Sequence, residues 1–350
     1  MIYLKYRRGV NLENRLSKGP LLDERGNLIE AGYHEDLIRA YDRKDITVKG
    51  MRIKEWDYYY IGNHKHGLAL TVADNSYMWL VSITAFNFEL KKEHTKSLMG
   101  FFPMKRIGMP NTSRVGNVVF QKKGFSFEFL IENDKRHLKV VMEKFKDNQT
   151  LTADVILTEK ENSSLVIATP FDRQGHFYYN HKINLMETEG GYTVGQDTYP
   201  LQDAFGTLDW GRGVWTYKNT WYWSSASGIY KDKRIGFNLG YGFGDTSKAS
   251  ENMFYYDGNC YKFEDITFNI PKKNDAYDYL SPWTFTSKSG DIELLFHPIL
   301  DRQSASNVII IKSIQHQVFG KFSGYFRLKD GKKVEFSDLM GFAERVINHW

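Results

Sequence analysis

From Ile46 almost to its end, the sequence is a succession of short segments rich in Val, Ile, Phe, Tyr and Thr, each bounded by Gly, Asn or Asp. Such segments predict β-strands joined by tight turns, for example at Gly190-Gly191 and Asp257-Gly258-Asn259. Helical periodicity is scarce, and only residues 337–348 predict one short C-terminal helix, with Ser337 as its N-cap. The pattern favours antiparallel sandwiches or barrels over parallel sheets with crossover helices.

The length of the chain, 350 residues, predicts about two domains. Aromatic residues make up 15% of the chain, enough to build a large core and still leave rings to line a pocket. We predict an N-terminal arm over residues 1–45, a first β-barrel lobe over 46–200 and a second over 201–350. From the residues alone, the predicted fold is therefore all-β, with antiparallel sandwiches or barrels in two β-rich halves of similar size.

Composition excludes several classes of protein. The net charge of +5 comes from 47 basic and 42 acidic residues that are interspersed, so we expect no nucleic-acid partner. The single Cys260 excludes an internal disulfide framework and a zinc site built from several thiolates. The N-terminus lacks the apolar core of a signal peptide, and the longest aliphatic run is only Val308 to Ile311, so we expect a cytoplasmic protein without an integral membrane segment.

No cofactor or metal is expected either. The sequence has no dinucleotide fingerprint, and the pair His64-x-His66 stands in a polar turn without acidic residues nearby in sequence. The expected partner is a small-molecule ligand, and the oligomeric state is left open.

The segment RIKEWDYYYIG, residues 52–62, carries the first candidate site. In a strand, Glu55, Asp57 and Tyr59 share one face, with the two acids about 6.6 Å apart along the backbone. Two carboxylates placed this way would raise one pKa by repulsion and supply one acid and one base. The alternative is a solvated strand face whose acids are paired with Lys and Arg.

The segment 205–228 carries the second candidate, Asp209. Gly211 and Gly213 predict a tight turn around Arg212. Indole rings crowd this segment and would desolvate the acid, which favours a raised pKa and proton donation, whereas Arg212 would oppose the shift. These rings are Trp210, Trp215, Trp221 and Trp223. The alternative is a rigid turn with an Asp–Arg pair and core tryptophans.

Residues 234–258 alternate strictly between large apolar side chains and a nearly bare face. The bare face carries Asn238, Gly240 and Gly242, and it indicates close approach of a ligand or of another strand. Asp245 and Glu251 follow the strand and are added to the candidate ligand-binding residues.

The segment HFYYNHK, residues 176–182, also alternates. Tyr178 and Asn180 share a face with His176 and Lys182, and their side chains suit hydrogen bonding to a polar ligand. A half-buried edge strand gives the same pattern.

Several motifs together resemble the bacterial family named domain of unknown function 2804. They run almost from end to end of the chain and include KGPLLDERGNL (18–28), RIKEWDYYYI (52–61), LDWGRGVW (208–215) and GFAERV-x-N-x-W (341–350). The family is similar to two-lobed lipocalin-like proteins such as carotenoid 1,2-hydratases and tocopherol cyclases. The resemblance implies two tandem antiparallel lipocalin-like barrels or half-barrels with a shared cavity, and it implies that the Asp209-Trp210-Gly211 motif lies beside that cavity.

These features predict cofactor-independent acid–base chemistry on a small organic ligand, of the hydratase, cyclase, isomerase or lyase type. Asp209 is the expected proton donor, Glu55 or Asp57 the partner base, and Arg212 the residue that holds the turn or the ligand. One alternative is a non-catalytic binding protein for a lipid or isoprenoid. Another is a carbohydrate-active hydrolase or lyase, because acidic pairs among stacked rings also suit sugars.

Overall fold

The structure is a computed structural model that describes residues 13–48, 51–101, 107–132, 134–308 and 311–349. Within these ranges there is one short 3₁₀ turn, Arg43–Asp45, and no α-helix. No helix in the described part of the chain has the length and apolarity needed to cross a membrane. The described strands are, in chain order, β1 (Gly19–Pro20), β2 (Gly32–His34), β3 (Arg39–Ala40), β4 (Ile53–Gly62), β5 (His66–Asp74), β6 (Met78–Asn87), β7 (Lys92–Phe101), β8 (Val118–Lys122), β9 (Phe125–Glu132), β10 (Lys135–Lys146), β11 (Gln149–Thr158), β12 (Ser164–Pro170), β13 (Phe177–Val194), β14 (Asp197–Pro200), β15 (Phe205–Val214), β16 (Lys218–Tyr230), β17 (Lys233–Tyr241), β18 (Asn252–Tyr256), β19 (Asn259–Phe263), β20 (Thr267–Asn269), β21 (Lys272–Lys273), β22 (Ala276–Tyr277), β23 (Trp283–Thr286), β24 (Ile292–Val308), β25 (Ile311–Arg327) and β26 (Lys333–His349).

Two curled antiparallel sheets form the two lobes. The first lobe is a half-barrel with the strand order β7-β6-β5-β4-β15-β13-β11-β10-β9-β8, and β12 and β14 pair with the long strand β13. The second lobe is a half-barrel with the order β19-β18-β17-β16-β26-β25-β24-β23-β20. The prediction of an all-β chain built from two antiparallel half-barrels is confirmed.

The predicted C-terminal helix is wrong, because residues 337–348 lie within β26. From Leu339 onward both faces of this strand are buried: Leu339 and Ala343 pack in the core of the second lobe, while Met340 and Phe342 pack against the first lobe. Apolar residues therefore occur at positions of both parities, and the alternation that identifies a half-buried strand disappears.

The change from one sheet to the other comes later than the division between residues 200 and 201 that the sequence suggests. Strand β15 pairs with both β13 and β4 and belongs to the first sheet, and the second sheet begins with β16. The N-terminal arm contributes β2, which pairs with β12 of the first lobe.

A cluster of aromatic side chains joins the two lobes. Tyr60 of the first lobe packs against Phe319 and Phe342 of the second, with ring centroids 5.1 and 5.5 Å apart. Tyr58 packs edge-on against Trp223 at 5.9 Å. Because these residues are buried, the contact stabilises the lobes against each other through the hydrophobic effect and places two walls of side chains face to face.

Candidate functional site

The register of the first sheet places the predicted acids on opposite faces. Residues directly paired across antiparallel strands point to the same side of a sheet. Asp209 is paired with Tyr58 and Lys182, whereas its neighbour Trp210 is paired with Asp57. Asp209 therefore faces the second lobe, while Asp57 faces the interior of the first lobe. The structure thus corrects the expected pairing of Asp209 with Glu55 or Asp57, because the sheet separates them.

Glu55 and Asp57 belong to an ion-pair network inside the first lobe. The Arg212 guanidinium donates to Asp57 Oδ1 at 3.0 Å, and Glu55 accepts from Arg43 and, at 2.8 Å, from the Tyr41 hydroxyl. Burial raises the pKa of Asp57, and the charge of Arg212 opposes the rise. The expected rise is present in Asp57, but burial is its main cause and repulsion by Glu55 a minor one.

Three further predicted residues share this interior face. The Arg212 guanidinium lies over the Trp210 ring, 4.1 Å from its centroid, and Tyr59 packs edge-on against Phe129 at 5.1 Å. Arg212 also donates to the carbonyl of Pro110 at 3.0 Å. Arg212, Trp210 and Tyr59 therefore hold the first lobe together, and Arg212 is the partner of Asp57 and not of Asp209.

Asp209 lies in a buried polar group between the lobes. Its carboxylate pairs with Lys182 Nζ at 2.8 Å and accepts hydrogen bonds from Asn180 Nδ2 at 2.5 Å and Trp56 Nε1 at 3.1 Å. The side chain of Asp209 remains 11% exposed, whereas that of Lys182 is 1% exposed. The carboxylate is thus held by three donors of the first lobe, and about a tenth of its side chain remains exposed.

The opposing wall contributes two buried glutamates from the second lobe. Burial raises the pKa of Glu251 to about 6 and that of Glu344 to about 7, although Lys182 lowers both values. The charge of Asp209 raises both further, which shows that these four groups act on one another electrostatically. We call the group formed by Tyr58, Tyr178, Asn180, Lys182, Asp209, Glu251 and Glu344 the inter-lobe cluster.

Glu344 is anchored by hydrogen bonds. Its carboxyl group accepts from Trp221 Nε1 at 3.0 Å and from Gln317 Nε2 at 3.2 Å. The same Gln317 amide donates to the Tyr58 hydroxyl at 3.1 Å, so Glu344 is connected through Gln317 to the first lobe.

The carboxylate of Glu251, in contrast, accepts no hydrogen bond of ordinary geometry from the described residues. The Tyr178 hydroxyl is nevertheless close enough to lower the pKa of Glu251. Its backbone carbonyl accepts from Asn238 Nδ2 at 2.7 Å, and Asn238 in turn accepts from Trp223 Nε1 at 2.7 Å. A Cβ atom at Gly240 would lie 3.0 Å from Glu251 Oε2. The bare face at Gly240 therefore makes room for the glutamate.

Gly242 differs from Gly240. It lies beyond the end of β17 with φ of +96°, and a Cβ atom there would lie 2.3 Å from the Thr220 carbonyl oxygen. Main chain fills the space that the sequence assigns to a ligand. Asp245 lies on the exposed loop that follows, where its side chain accepts from the Ser247 amide at 2.9 Å.

Aromatic rings surround the polar groups of the inter-lobe cluster. Lys182 Nζ lies 3.9 Å from the centroid of the Trp223 ring, and Tyr178 stacks on Phe243 at 4.8 Å. Trp215 packs against Trp221 at 5.4 Å. An ammonium over an indole face is favourable, and the rings lower the local dielectric around the charges.

Of the predicted residues, the structure thus brings together Asp209, Tyr178, Asn180, Asn238, Gly240, Glu251, Trp215, Trp221 and Trp223. Sequence reasoning missed Lys182 and Glu344 as site residues. Lys182 could have been included, since it shares one strand face with Tyr178 and Asn180. Glu344 could not, because the sequence predicts a helix where the structure has β26.

A cavity of about 340 Å³ opens at one end of the first lobe, away from the inter-lobe cluster. It is lined in part by Phe86, His94, Phe145, Tyr192 and Tyr199, and no residue of the inter-lobe cluster lines it. In the part of the chain that the structure describes, no group of three His, Cys, Asp or Glu residues has the arrangement of a metal site.

The sequence profile described as Domain of unknown function (DUF2804) matches residues 13–350. The chain belongs to this family. No curated protein matches the sequence. Among solved structures, an ATTH-like protein from Nitrosomonas europaea is similar, with a TM-score of 0.52, 12% identity and coverage of 89% of this chain and 98% of that one. Kievitone hydratase from Nectria haematococca is also similar, with a TM-score of 0.50, 12% identity and coverage of 89% and 96%. These likenesses show the two-lobed lipocalin-like fold.

Proposed function

We propose that the inter-lobe cluster carries out cofactor-independent acid–base chemistry on a small organic ligand, with hydration or the reverse elimination of water as the leading reaction. The observation that carries this proposal is the placement of Glu251 and Glu344, whose pKa values are about 6 and about 7, opposite the Asp209–Lys182 pair. Groups that titrate near neutral pH exist in both protonation states there and therefore suit proton transfer.

Each step of such a reaction has a group in the cluster that suits it. In a hydration, a protonated carboxyl group, such as that of Glu344, transfers its proton to one carbon of a C=C bond. A carboxylate, such as that of Asp209, takes a proton from the water that attacks the other carbon. The ligand gains H and OH, and a proton passes back between the two carboxyl groups. The surrounding rings stabilise the developing positive charge on carbon.

The likeness in fold to kievitone hydratase, a hydratase by name, supports hydration as the reaction. The buried ionisable groups of the cluster argue against the alternative that the protein only carries a wholly apolar lipid. Ionised groups at this depth cost free energy that an apolar ligand does not recover, because it offers them no hydrogen bond.

The test begins with the ligand itself. Small molecules that co-purify with the protein are extracted and identified by mass spectrometry, and their conversion is followed with wild-type protein and two variants. Asp209→Asn keeps the shape of the side chain but removes its proton-transfer capacity, and we expect a loss of about 10²–10⁴-fold in rate. Asp245→Asn, on the exposed loop, is the matched control and retains the wild-type rate. Equal rates for the wild type and Asp209→Asn would refute the role of Asp209.

A further inference from the structure

The polar atoms left over in the inter-lobe cluster are mostly acceptors. Asn180 Oδ1, both carboxylate oxygens of Glu251 and the Tyr178 hydroxyl are buried and make no hydrogen bond of ordinary geometry within the described residues, although the Tyr178 hydroxyl lies close enough to Glu251 to lower its pKa. All three side chains belong to residues with 0% exposure. Buried polar atoms in folded proteins are almost always paired, and the single Tyr178 hydroxyl proton can satisfy only one of the three acceptors of Asn180 and Glu251, so the others indicate a partner from outside the chain.

The donors nearby are largely engaged with the protein. Asn180 Nδ2 and Trp56 Nε1 donate to Asp209, and Trp223 Nε1 donates to Asn238. The Lys182 ammonium is paired with Asp209. What the cluster can offer to a ligand is therefore acceptor capacity, set among aromatic rings.

The charge of the cluster points the same way. Asp209, Glu251 and Glu344 supply three carboxyl groups, whereas Lys182 supplies one ammonium. Two further cations act at its edge: Lys262, which lowers the pKa of Glu251 but is itself paired with Glu13, and Arg302, which donates to Gln317 at 2.7 Å. An anionic ligand placed here would face an excess of negative charge in a medium of low dielectric.

We infer that the ligand of the inter-lobe cluster presents hydrogen-bond donors, as hydroxyl or ammonium groups on a ring-like apolar skeleton, and that anionic ligands are rejected. This inference rests on the proposed function for the location of the site, but it concerns binding and not turnover. The donors pair with Asn180 Oδ1 and Glu251, and the skeleton lies among the rings of Tyr178, Trp223 and Phe243.

Three one-ring probes test the inference by isothermal titration calorimetry: catechol, benzylamine and benzoate. We expect catechol or benzylamine to bind at least about tenfold more tightly than benzoate, the ratio that corresponds to one hydrogen bond to a charged group. Comparing affinities at pH 5.5 and 7.5 distinguishes the two donor types. Benzylamine binds more tightly at the higher pH, because Glu251 with a pKa of about 6 ionises, whereas the affinity for catechol changes less.

Two variants locate the site of binding. Glu251→Gln replaces one acceptor oxygen with a donor NH₂ group, and we expect it to weaken the affinity for the more tightly bound probe by about tenfold. Glu335→Gln, on the exposed face of β26, is the matched control and leaves the affinity unchanged. The wild-type ranking of the probes stands as a test by itself if Glu251→Gln fails to fold. Tightest binding of benzoate, or no binding of any probe, overturns the inference. Donor selectivity without turnover of any co-purified ligand would refute the proposed reaction and leave the binding inference intact.

Discussion

Replacing Glu344 with Gln changes how the stability of the protein depends on pH. The pKa of Glu344 rises from 4.5 in the unfolded chain to about 7 in the folded protein, mainly through burial. The folded state therefore holds a proton that the unfolded chain releases between these two pH values. The stability that this group contributes is fully present below pH 4.5 and is lost as the pH rises through 7.

The magnitude follows from the same pKa values. A rise from 4.5 to about 7 corresponds to about 3 kcal/mol of folding free energy, lost between acidic and mildly alkaline pH. The side chain of Gln does not titrate in this pH range, so the variant does not lose this folding free energy as the pH rises. We expect the unfolding free energy of Glu344→Gln, relative to wild type, to increase by about 3 kcal/mol between pH 4.5 and 8.

The assay is urea unfolding followed by tryptophan fluorescence at a series of pH values between 4.5 and 8. Using the difference between variant and wild type at each pH removes the constant cost of placing a Gln amide beside Gln317. Glu335→Gln on the same strand is the control, and its difference from wild type stays constant. A difference for Glu344→Gln that is also constant with pH would refute the reasoning, because it would show that Glu344 titrates alike in the folded and unfolded states.

Three further predictions concern residues around the site. Arg212→Met leaves the carboxylate of Asp57 buried without its cation. We expect urea unfolding at pH 8 to show a loss of about 3–5 kcal/mol in unfolding free energy. A loss under about 1 kcal/mol would contradict the pairing. Gly242→Leu strains a residue with φ of +96° against the Thr220 carbonyl and lowers stability by more than about 2 kcal/mol, seen as a lower melting temperature; an unchanged melting temperature would mean that open space lies there. Burial lowers the pKa of Lys262 to about 8, and the paired Glu13 opposes this decrease. Glu13→Gln removes that acid, so NMR titration of Lys262 should show a still lower pKa, and an unchanged value would rule the pair out.

Much of the fold is readable from the sequence because strands and turns are local. Segments such as Leu68–Val72 and Ile235–Phe243 are rich in β-branched or aromatic residues. The first lies within β5, and the second lies in β17 as far as Tyr241. One exception is the tight turn predicted at Gly211 and Gly213, because both residues lie within the continuous strand β15. Another is β26, which is covered on both faces from Leu339 onward. A strand buried on both sides loses its alternation, and from the sequence it resembles a short helix.

The site was only partly predictable because its geometry depends on pairing between distant strands. Asp209 and Asp57 are both acids near tryptophan, and nothing local to either shows that the register of β15 against β4 turns them to opposite faces. A shift by one residue would have placed them together. Glu344 reaches the cluster from the other lobe, through packing that no segment of the sequence encodes alone.

Transfer of solvent hydrogen to carbon tests the central claim most directly. The co-purified ligand, once identified, is incubated with the protein in D₂O, and mass spectrometry and NMR measure deuterium bound to carbon. The account predicts that the wild type incorporates deuterium at one carbon, and that Asp209→Asn does so about 10²–10⁴-fold more slowly while binding the ligand as before. No incorporation by the wild type, or incorporation at the same rate by Asp209→Asn, would contradict the claim that the inter-lobe cluster moves protons.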